Sequence, residues 1–208
     1  GVAVTTAAES AEHDSTAIAG GIPSRALMRC AGVAAAAEII RRYPIRASRG
    51  VSIFAGPGNN GGDAWVVAGA LARAGVSVRV TEVMPPRTRD AEMERSLAAP
   101  LVSTGRPLGY ERLIIDGLLG TGSTGAPRSP IAEAVDSIAA RRAAGALVVA
   151  LDVPSGVDAT TGAAEHAVTA DLTLTFGTMK TGLLVARGHT GRIAVLDIGL
   201  PPRDGGVV

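Results

Sequence analysis

The sequence predicts an α/β domain of the Rossmann-like, doubly wound type: a three-layer α/β/α arrangement whose mostly parallel sheet has helices on both faces. Short apolar runs alternate with segments of helical periodicity along the chain. Several runs, such as ALVVALDV at residues 146–153, are apolar at successive positions, which is typical of strands buried on both faces. Gly-rich turns follow three of these runs, at the sheet edge where such folds bind ligands.

Hydrophobic periodicity and the Gly and Pro positions predict the individual elements. Residues 1–20 are only weakly periodic, and no element is predicted there. Ser24 is the expected N-cap of the first helix, and Pro44 its stop. Helices are predicted at residues 21–44, 63–74, 88–99 and 130–143, and strands at residues 51–55, 76–83, 113–116, 146–153, 172–176 and 192–199. With no repeat or linker, residues 1–208 are expected to form a single domain.

Composition excludes several functional classes. The net charge is +1 and aromatic residues make up 2%, which argues against nucleic acid and anionic membranes as partners. Cys30 is the only cysteine, so an intrachain disulfide is impossible, and its helical position predicts core packing. No apolar run approaches the ~20 residues of a membrane span, and no signal-peptide pattern opens the chain. We therefore expect a cytoplasmic protein, and the bias towards Arg and Ala suggests a GC-rich bacterial genome.

Three strands that are distant in sequence end in polar residues and a Gly-rich turn. Carboxyl ends of parallel strands meet at one edge of the sheet, so these turns should converge on one crevice. Each also has a simpler explanation: Asp63 could cap its helix, worth ~1 kcal/mol, and Asp116 and Asp152 could be turn residues. Those explanations do not predict the convergence. The residues concerned are Asn59, Asn60 and Asp63 after the first strand, Asp116 and residues 120–125 after the second, and Asp152 and Ser155 after the third.

The first of these loops, GPGNNGGD at residues 56–63, does not carry a familiar nucleotide motif. It lacks the Lys-Ser/Thr ending of a phosphate-binding P-loop and the spacing of the dinucleotide fingerprint. No G-x-S-x-G elbow and no paired Cys or His suited to zinc occurs in the chain. Amide, carboxylate and hydroxyl oxygens suit a hard cation. With so few carboxylates, the sequence favours a weakly charged cation and a ligand phosphate held by glycine N–H groups.

Six segments in register resemble the NAD(P)H-hydrate epimerases, the YjeF N-terminal domain family, over about residues 7–201. The resemblance implies a Rossmann-like homodimer with one potassium ion per subunit and no dehydratase domain in this chain. It implies an isomerase that interconverts the R and S epimers of NADHX and NADPHX for a partner dehydratase. The segments are GIPSRALMRCAG (residues 21–32), GPGNNGGD (residues 56–63), IDGLLGTGSTGAPR (residues 115–128), LDVPSGVDATTG (residues 151–162), ADLTLTFGTMKTGL (residues 170–183) and VLDIGLP (residues 195–201).

The same resemblance implies roles for individual residues. Asp152 would face the reacting ring and act as the catalytic acid and base, and Lys180 would support it. Potassium would bind Asn60, Asp116 and Ser155. The hydrated nucleotide would contact Asp152 and two further runs: Asn59, Asn60, Gly61, Gly62 and Asp63, and Gly120, Thr121, Gly122, Ser123, Thr124, Gly125 and Ala126.

A non-catalytic nucleotide-binding or scaffold domain is the alternative, because the same domain occurs in apolipoprotein A-I-binding proteins and mRNA-decapping enhancers and a fold does not fix a function. A scaffold would be expected to have lost Asp152 or the potassium ligands. Here these residues are present, so the sequence favours the enzyme.

Overall fold

The computed structural model describes residues 1–201, and seven of the strands in that range form one parallel sheet. The final seven residues of the predicted 1–208 domain lie outside the described residues. The strands are β1 (Val4–Thr5), β2 (Val51–Ala55), β3 (Val78–Glu82), β4 (Ser103–Thr104), β5 (Leu113–Gly117), β6 (Leu147–Leu151), β7 (Leu172–Phe176), β8 (Met179–Lys180) and β9 (Arg192–Leu196).

The four predicted helices are present, with shifts of a few residues at their ends, and residues 1–201 contain four further helices that were not predicted. No helix within residues 1–201 combines the length and the apolar character needed to cross a membrane. The helices are α1 (Ala7–Ala19), α2 (Ser24–Arg42), α3 (Pro44–Ala47), α4 (Asn59–Arg73), α5 (Arg89–Ala98), α6 (Ile131–Ala143), α7 (Thr181–Val185) and α8 (Arg187–Thr190), with a 3-10 turn at Ala99–Leu101. The predicted helices are α2, α4, α5 and α6.

The strand order in the sheet is β4-β3-β2-β5-β6-β7-β9, and all neighbouring pairs are parallel. The chain therefore enters this sheet near its middle at β2 and runs outwards to β4. It then returns to β5 and continues to the other edge at β9. The direction of winding reverses between β2 and β5. In doubly wound sheets a ligand crevice opens at such a switch point, outside the carboxyl ends of the strands.

Two separate apolar layers cover the sheet. Ile53 and Ile115 point to one side, where they join Trp65 and Leu71 of α4 in the larger core. Their neighbours Phe54 and Ile114 point to the other side and pack with residues of α6. Successive strand residues alternate between faces because the side-chain period of a strand is two. The structure confirms the predicted α/β/α fold.

Helix α1 was not expected from the sequence. Its start nevertheless carries a recognisable signal, because Thr6 and Glu9 form a reciprocal capping box in which each side chain accepts a hydrogen bond from the other residue's backbone N–H. The helix is fixed by contacts with distant segments. β1 pairs with β8 in parallel, Thr5 opposite Lys180, and the Ala7 N–H donates to Thr160 Oγ1 at 3.0 Å.

Three local predictions were wrong. Ser24 does not cap α2: Pro23 is at the N-cap, and the Ser24 hydroxyl donates to Asp90 Oδ2 at 2.5 Å. Asp63 does not cap its helix either, because α4 begins at Asn59, one turn earlier, with Gly58 at the N-cap. Cys30 is exposed on α2 and does not pack in the core.

Candidate functional site

An open cavity of about 730 Å³ lies at the switch point of the sheet. Its walls come from the turns after β2, β5 and β6, and from α1, α2, α4 and β8. The three loops predicted to converge do so here, because Asn59, Gly120 and Asp152 all line this one cavity.

The structure places the sequence-predicted residues in three groups. Those lining the cavity are Asn59, Asn60, Asp63, Gly120, Thr121, Gly122, Ser123, Asp152 and Lys180. Those buried directly behind the wall are Gly61, Gly62, Asp116 and Ser155. Those further along the exposed loop, away from the cavity wall, are Thr124, Gly125 and Ala126.

The glycines behind the wall are explained by close backbone packing. A Cβ atom on Gly61 would lie 1.8 Å from the carbonyl oxygen of Gly56, and one on Gly56 would lie 1.8 Å from that of Leu118. A Cβ on Gly62 would lie 2.5 Å from the Met28 side chain. Gly56 and Gly61 allow α4 to approach the turns that follow β2 and β5, and Gly62 allows it to approach α2. The first turn of α4 is thereby held against the cavity.

Asp116 and Ser155 are buried behind the cavity wall and are linked to Asn60, which lines the cavity. The Ser155 hydroxyl donates to Asp116 Oδ1 at 2.6 Å, and the Ser155 N–H donates to Asp116 Oδ2 at 2.8 Å. The Leu119 N–H donates to Ser155 Oγ at 2.9 Å, while Asn60 Nδ2 donates to the Leu119 carbonyl at 2.9 Å. The three residues predicted to bind one ion are therefore linked through the backbone that follows β5.

The same three residues fit a monovalent cation. Asn60 Oδ1 is buried and accepts no hydrogen bond from residues 1–201, although a buried amide oxygen normally has a partner. Burial raises the pKa of Asp116 to about 6, against the lowering effect of the hydrogen bonds from Ser155 and Leu118. A bound cation would give Asn60 Oδ1 a partner, and its positive charge would favour the ionised form of Asp116. The part of the chain described here contains no cluster of three His, Cys, Asp or Glu side chains of the kind that divalent metals use.

Asp152 occupies an unusual position at the end of β6. Its φ of 65° makes it the one non-glycine residue with a left-handed backbone among residues 1–201. Asp tolerates this conformation better than most residues, but the strain still costs about 1 kcal/mol and such strain concentrates at functional sites. The Asp152 N–H donates to the Leu174 carbonyl at 2.7 Å, which ties the strained turn to β7.

The two oxygens of the Asp152 carboxyl group have different surroundings. Oδ1 accepts hydrogen bonds from Lys180 Nζ at 2.7 Å, Thr175 Oγ1 at 3.2 Å and the Phe176 N–H at 3.3 Å. Oδ2 accepts none from the described part of the chain. Lys180 is itself 1% exposed and also donates to the Phe176 carbonyl at 2.7 Å. One oxygen is thus fixed by the protein, and the other is available to a ligand in the cavity.

Asp63 also lines the cavity, from the second turn of α4. Its carboxyl group accepts no hydrogen bond from any other residue between 1 and 201. Burial raises the pKa of Asp63 well above its usual range, and the carboxylates of Asp152 and Asp14 raise it further, with Lys180 acting in the opposite direction. This favours the neutral, protonated form.

Sequence analysis missed Asp14, which enters the cavity from the unpredicted helix α1. Burial raises the pKa of Asp14, Lys180 lowers it, and Asp152 raises it again. The capping box at Thr6 and Glu9 could have revealed the helix. No sequence signal indicated that the face of this helix that carries Asp14 would line the cavity at the strand ends.

Fold and site together define a Rossmann-like domain with a polar ligand cleft at its topological switch point. Residues 24–182 match the family described as YjeF-related protein N-terminus, and the chain belongs to that family. The solved structure of the yeast protein ynu0 superimposes with a TM-score of 0.81 at 22% identity, over 93% of this chain and 87% of that one. That likeness supports the fold.

Curated relatives match over most of the chain. A protein of Archaeoglobus fulgidus named "Bifunctional NAD(P)H-hydrate repair enzyme Nnr" is 40% identical over 87% of this chain, which spans only 38% of that relative. The chain thus spans about two fifths of the bifunctional relatives that it matches. Two shorter relatives, of Pirellula staleyi (36% identical) and Cenarchaeum symbiosum (38% identical), are named "NAD(P)H-hydrate epimerase". The match covers 84% of this chain and 82% of the first, and 88% of this chain and 88% of the second.

Proposed function

We propose that the chain is an NAD(P)H-hydrate epimerase, an isomerase that interconverts the R and S epimers of NADHX and NADPHX. The observation that carries the proposal is the convergence of Asp152, Asn60 and the Gly120–Ser123 run on one cavity at the switch point. Membership of the family and the names of the two shorter relatives support it.

The chemistry requires charge and proton handling at one carbon. C6 of the hydrated ring carries a hydroxyl group and is bonded to the ring nitrogen. When the hydroxyl leaves as water, the nitrogen lone pair forms a planar iminium ion, and water can then add to either face. Asp152 is a group that we assign to proton transfer in this exchange, because its Oδ2 is available beside the cavity. Its carboxylate also opposes the positive charge of the iminium ion.

We further propose that Asn60, Asp116 and Ser155 hold one potassium ion. The buried, unpartnered Asn60 Oδ1 supports this assignment, as does the burial of the Asp116 carboxyl group. A bound potassium ion would supply positive charge and fix the turn after β5. The Gly120–Ser123 run, which forms part of that turn and of the cavity wall, would then be ordered for the phosphates of the nucleotide.

Partners follow from the same proposal. An S-specific NAD(P)H-hydrate dehydratase would consume the product, and the bifunctional names of several relatives support that coupling. We propose a homodimer working in the cytoplasm.

The direct test is conversion of the purified R epimer to the S epimer, followed by chromatography in potassium and in sodium salts, with a protein-free sample subtracted. The proposal predicts conversion well above that blank. No conversion in either salt would overturn it and favour a non-catalytic binding domain.

A further inference from the structure

Three carboxyl groups and one ammonium group of the cavity wall interact with one another through their charges. They come from four different elements: Asp14 from α1, Asp63 from α4, Asp152 from the turn after β6, and Lys180 from β8. We call Asp14, Asp63 and Asp152 the carboxyl cluster. Arg87 and Asp90 also line the cavity, but Arg87 is exposed and Asp90 accepts a hydrogen bond from Ser24.

Asp63 and Asp152 have opposite surroundings within this cluster. Asp152 is in contact with the Lys180 ammonium group and accepts three hydrogen bonds on one oxygen. The carboxyl group of Asp63 accepts no hydrogen bond from the described residues, and the carboxylates of Asp152 and Asp14 act on it through their charges. The reaction needs an acid where the hydroxyl leaves and a base where water enters. Two carboxyl groups whose surroundings differ in this way are a common arrangement for an acid and a base.

We propose that Asp63 is the acid that delivers a proton to the departing hydroxyl group, while the Asp152 carboxylate accepts a proton from the entering water. The inference rests on the epimerase function proposed above. Asp63 is suited to the role because its carboxyl group faces the cavity and accepts no hydrogen bond from residues 1–201. Burial beside other carboxylates also raises the pKa of Asp63, which favours its neutral form.

Atoms and electrons balance in this scheme. The Asp63 proton moves to the hydroxyl oxygen, the C6–O bond breaks with its electron pair on the oxygen, and the ring nitrogen lone pair forms the C=N bond. Water then bonds to C6, the C=N electron pair returns to nitrogen, and the surplus proton of the water passes to Asp152. Solvent exchange restores the starting protonation of both carboxyl groups. In the reverse direction the two groups exchange roles.

Asp14 acts on Asp63 through charge. It belongs to a different element and is one of the two carboxylates that favour the neutral form of Asp63. Removal of this charge should make Asp63 ionise at lower pH, because a like charge disfavours ionisation. Asp14 thus helps to keep the proton on Asp63 without contacting the substrate, and its effect should appear in the pH dependence of the rate.

The test is the pH profile of kcat/KM for epimer interconversion, with the protein-free rate subtracted at each pH. In the wild type we expect kcat/KM to fall as pH rises through the ionisation of Asp63. Asp63→Asn should lower kcat by about 100-fold or more, with KM little changed, and should abolish that fall. Asp63→Glu should recover part of the rate and restore the fall. In Asp14→Asn, the decrease of kcat/KM should occur at lower pH than in the wild type. Asp136→Asn is the control, because Asp136 lies on the exposed side of α6, and there the decrease should occur at the wild-type pH.

Two results would overturn the assignment: wild-type kcat and pH profile in Asp63→Asn, or a change confined to KM. If Asp63→Asn does not fold, the unmoved profile of Asp14→Asn would overturn it instead. An inactive wild type defeats the epimerase proposal itself. Carbon-13 NMR of the Asp63 carboxyl group then still tests whether Asp63 holds a proton. Its pKa must lie above the usual range in the wild type and must be lower in Asp14→Asn.

Discussion

Lys180 Nζ lies 2.7 Å from Asp152 Oδ1, and this ion pair joins β8 to the strained turn after β6. The lysine side chain is 2% exposed and the aspartate side chain 14% exposed. Lys180 also stands opposite Thr5 of β1, immediately before α1. The pair therefore connects the residue assigned to proton transfer with the helix that supplies Asp14.

Loss of the lysine charge should destabilise the protein strongly. Lys180→Met leaves the Asp152 carboxylate partly buried without its cation, and we expect a loss of roughly 3–5 kcal/mol in the free energy of unfolding. Chemical denaturation measures the loss. The double variant Lys180→Met/Asp152→Asn should lose less than the two single variants added together. The matched control is Arg41→Met, which removes an exposed cation whose partner Glu38 keeps a second ion pair with Arg42, and it should cost at most about 1 kcal/mol. Equal losses of unfolding free energy in Lys180→Met and Arg41→Met would contradict the prediction.

The Asp152 carboxyl group should be essential for turnover. Asp152→Asn keeps the shape of the side chain but cannot accept the proton of the entering water, so we expect kcat to fall by about 100-fold or more. Chromatographic analysis of the epimers at several substrate concentrations separates kcat from KM. Circular dichroism and the midpoint of thermal unfolding check that the variant is folded. Wild-type turnover in a folded Asp152→Asn protein would remove Asp152 from the mechanism.

Potassium should stabilise the fold through Asn60 and Ser155. We expect the thermal midpoint to be higher in potassium chloride than in sodium chloride at equal ionic strength, because a ligand that binds only the native state stabilises it, by about 2.7 kcal/mol at 100 times Kd. Asn60→Ala and Ser155→Ala should abolish the difference between the salts. Asn59→Ala changes the exposed neighbour of Asn60 and should retain it. A wild-type protein with the same midpoint in both salts would not support the potassium site.

The proton on Asp63 should make stability depend on pH. The folded pKa is above the usual value of 3.8, so between these two values the folded protein binds a proton that the unfolded chain has lost. This contribution is complete below the unfolded pKa and is lost as pH rises through the folded pKa. Asp63→Asn removes the dependence, so its stability relative to the wild type should rise with pH across that window. Thermal midpoints measured from acid to alkaline pH test the trend. A constant difference would show that Asp63 titrates normally.

Close packing at Gly61 gives a prediction about the scaffold. Gly61→Ala places a Cβ atom 1.8 Å from the Gly56 carbonyl oxygen, so α4 must move, and we expect a loss of about 3 kcal/mol or more. Gly122→Ala is the control, because its Cβ atom would meet no heavy atom within 4 Å. Denaturation of both variants separates the steric effect from the general effect of replacing glycine. Similar stability in the two variants would show that α4 adapts easily.

Much of the fold could be predicted from the sequence because the strands are strongly apolar. β2 and β7 have the predicted bounds, since all five residues of each are buried. The convergence of Asn60, Asp116 and Asp152 was also predictable, because strand order does not alter the fact that carboxyl ends of parallel strands share an edge.

Helix α1 and Asp14 could not be predicted in the same way. Only Ser10 and Ala17 of α1 are buried, so the helix carries almost no apolar stripe. Its position depends on β1 pairing with β8, which lies about 175 residues further along the chain. The ion pair of Lys180 with Asp152 also joins two separate elements, β8 and the turn after β6, although the resemblance had marked both residues.

The rate at which the R epimer of NADHX becomes the S epimer distinguishes an epimerase from a non-catalytic domain. It is measured by chromatography in potassium salt, with the wild-type protein and with Asp152→Asn. We expect rapid approach to the equilibrium mixture with the wild type and a rate near the protein-free blank with the variant. A folded wild-type protein that leaves the R epimer at the blank rate would contradict it.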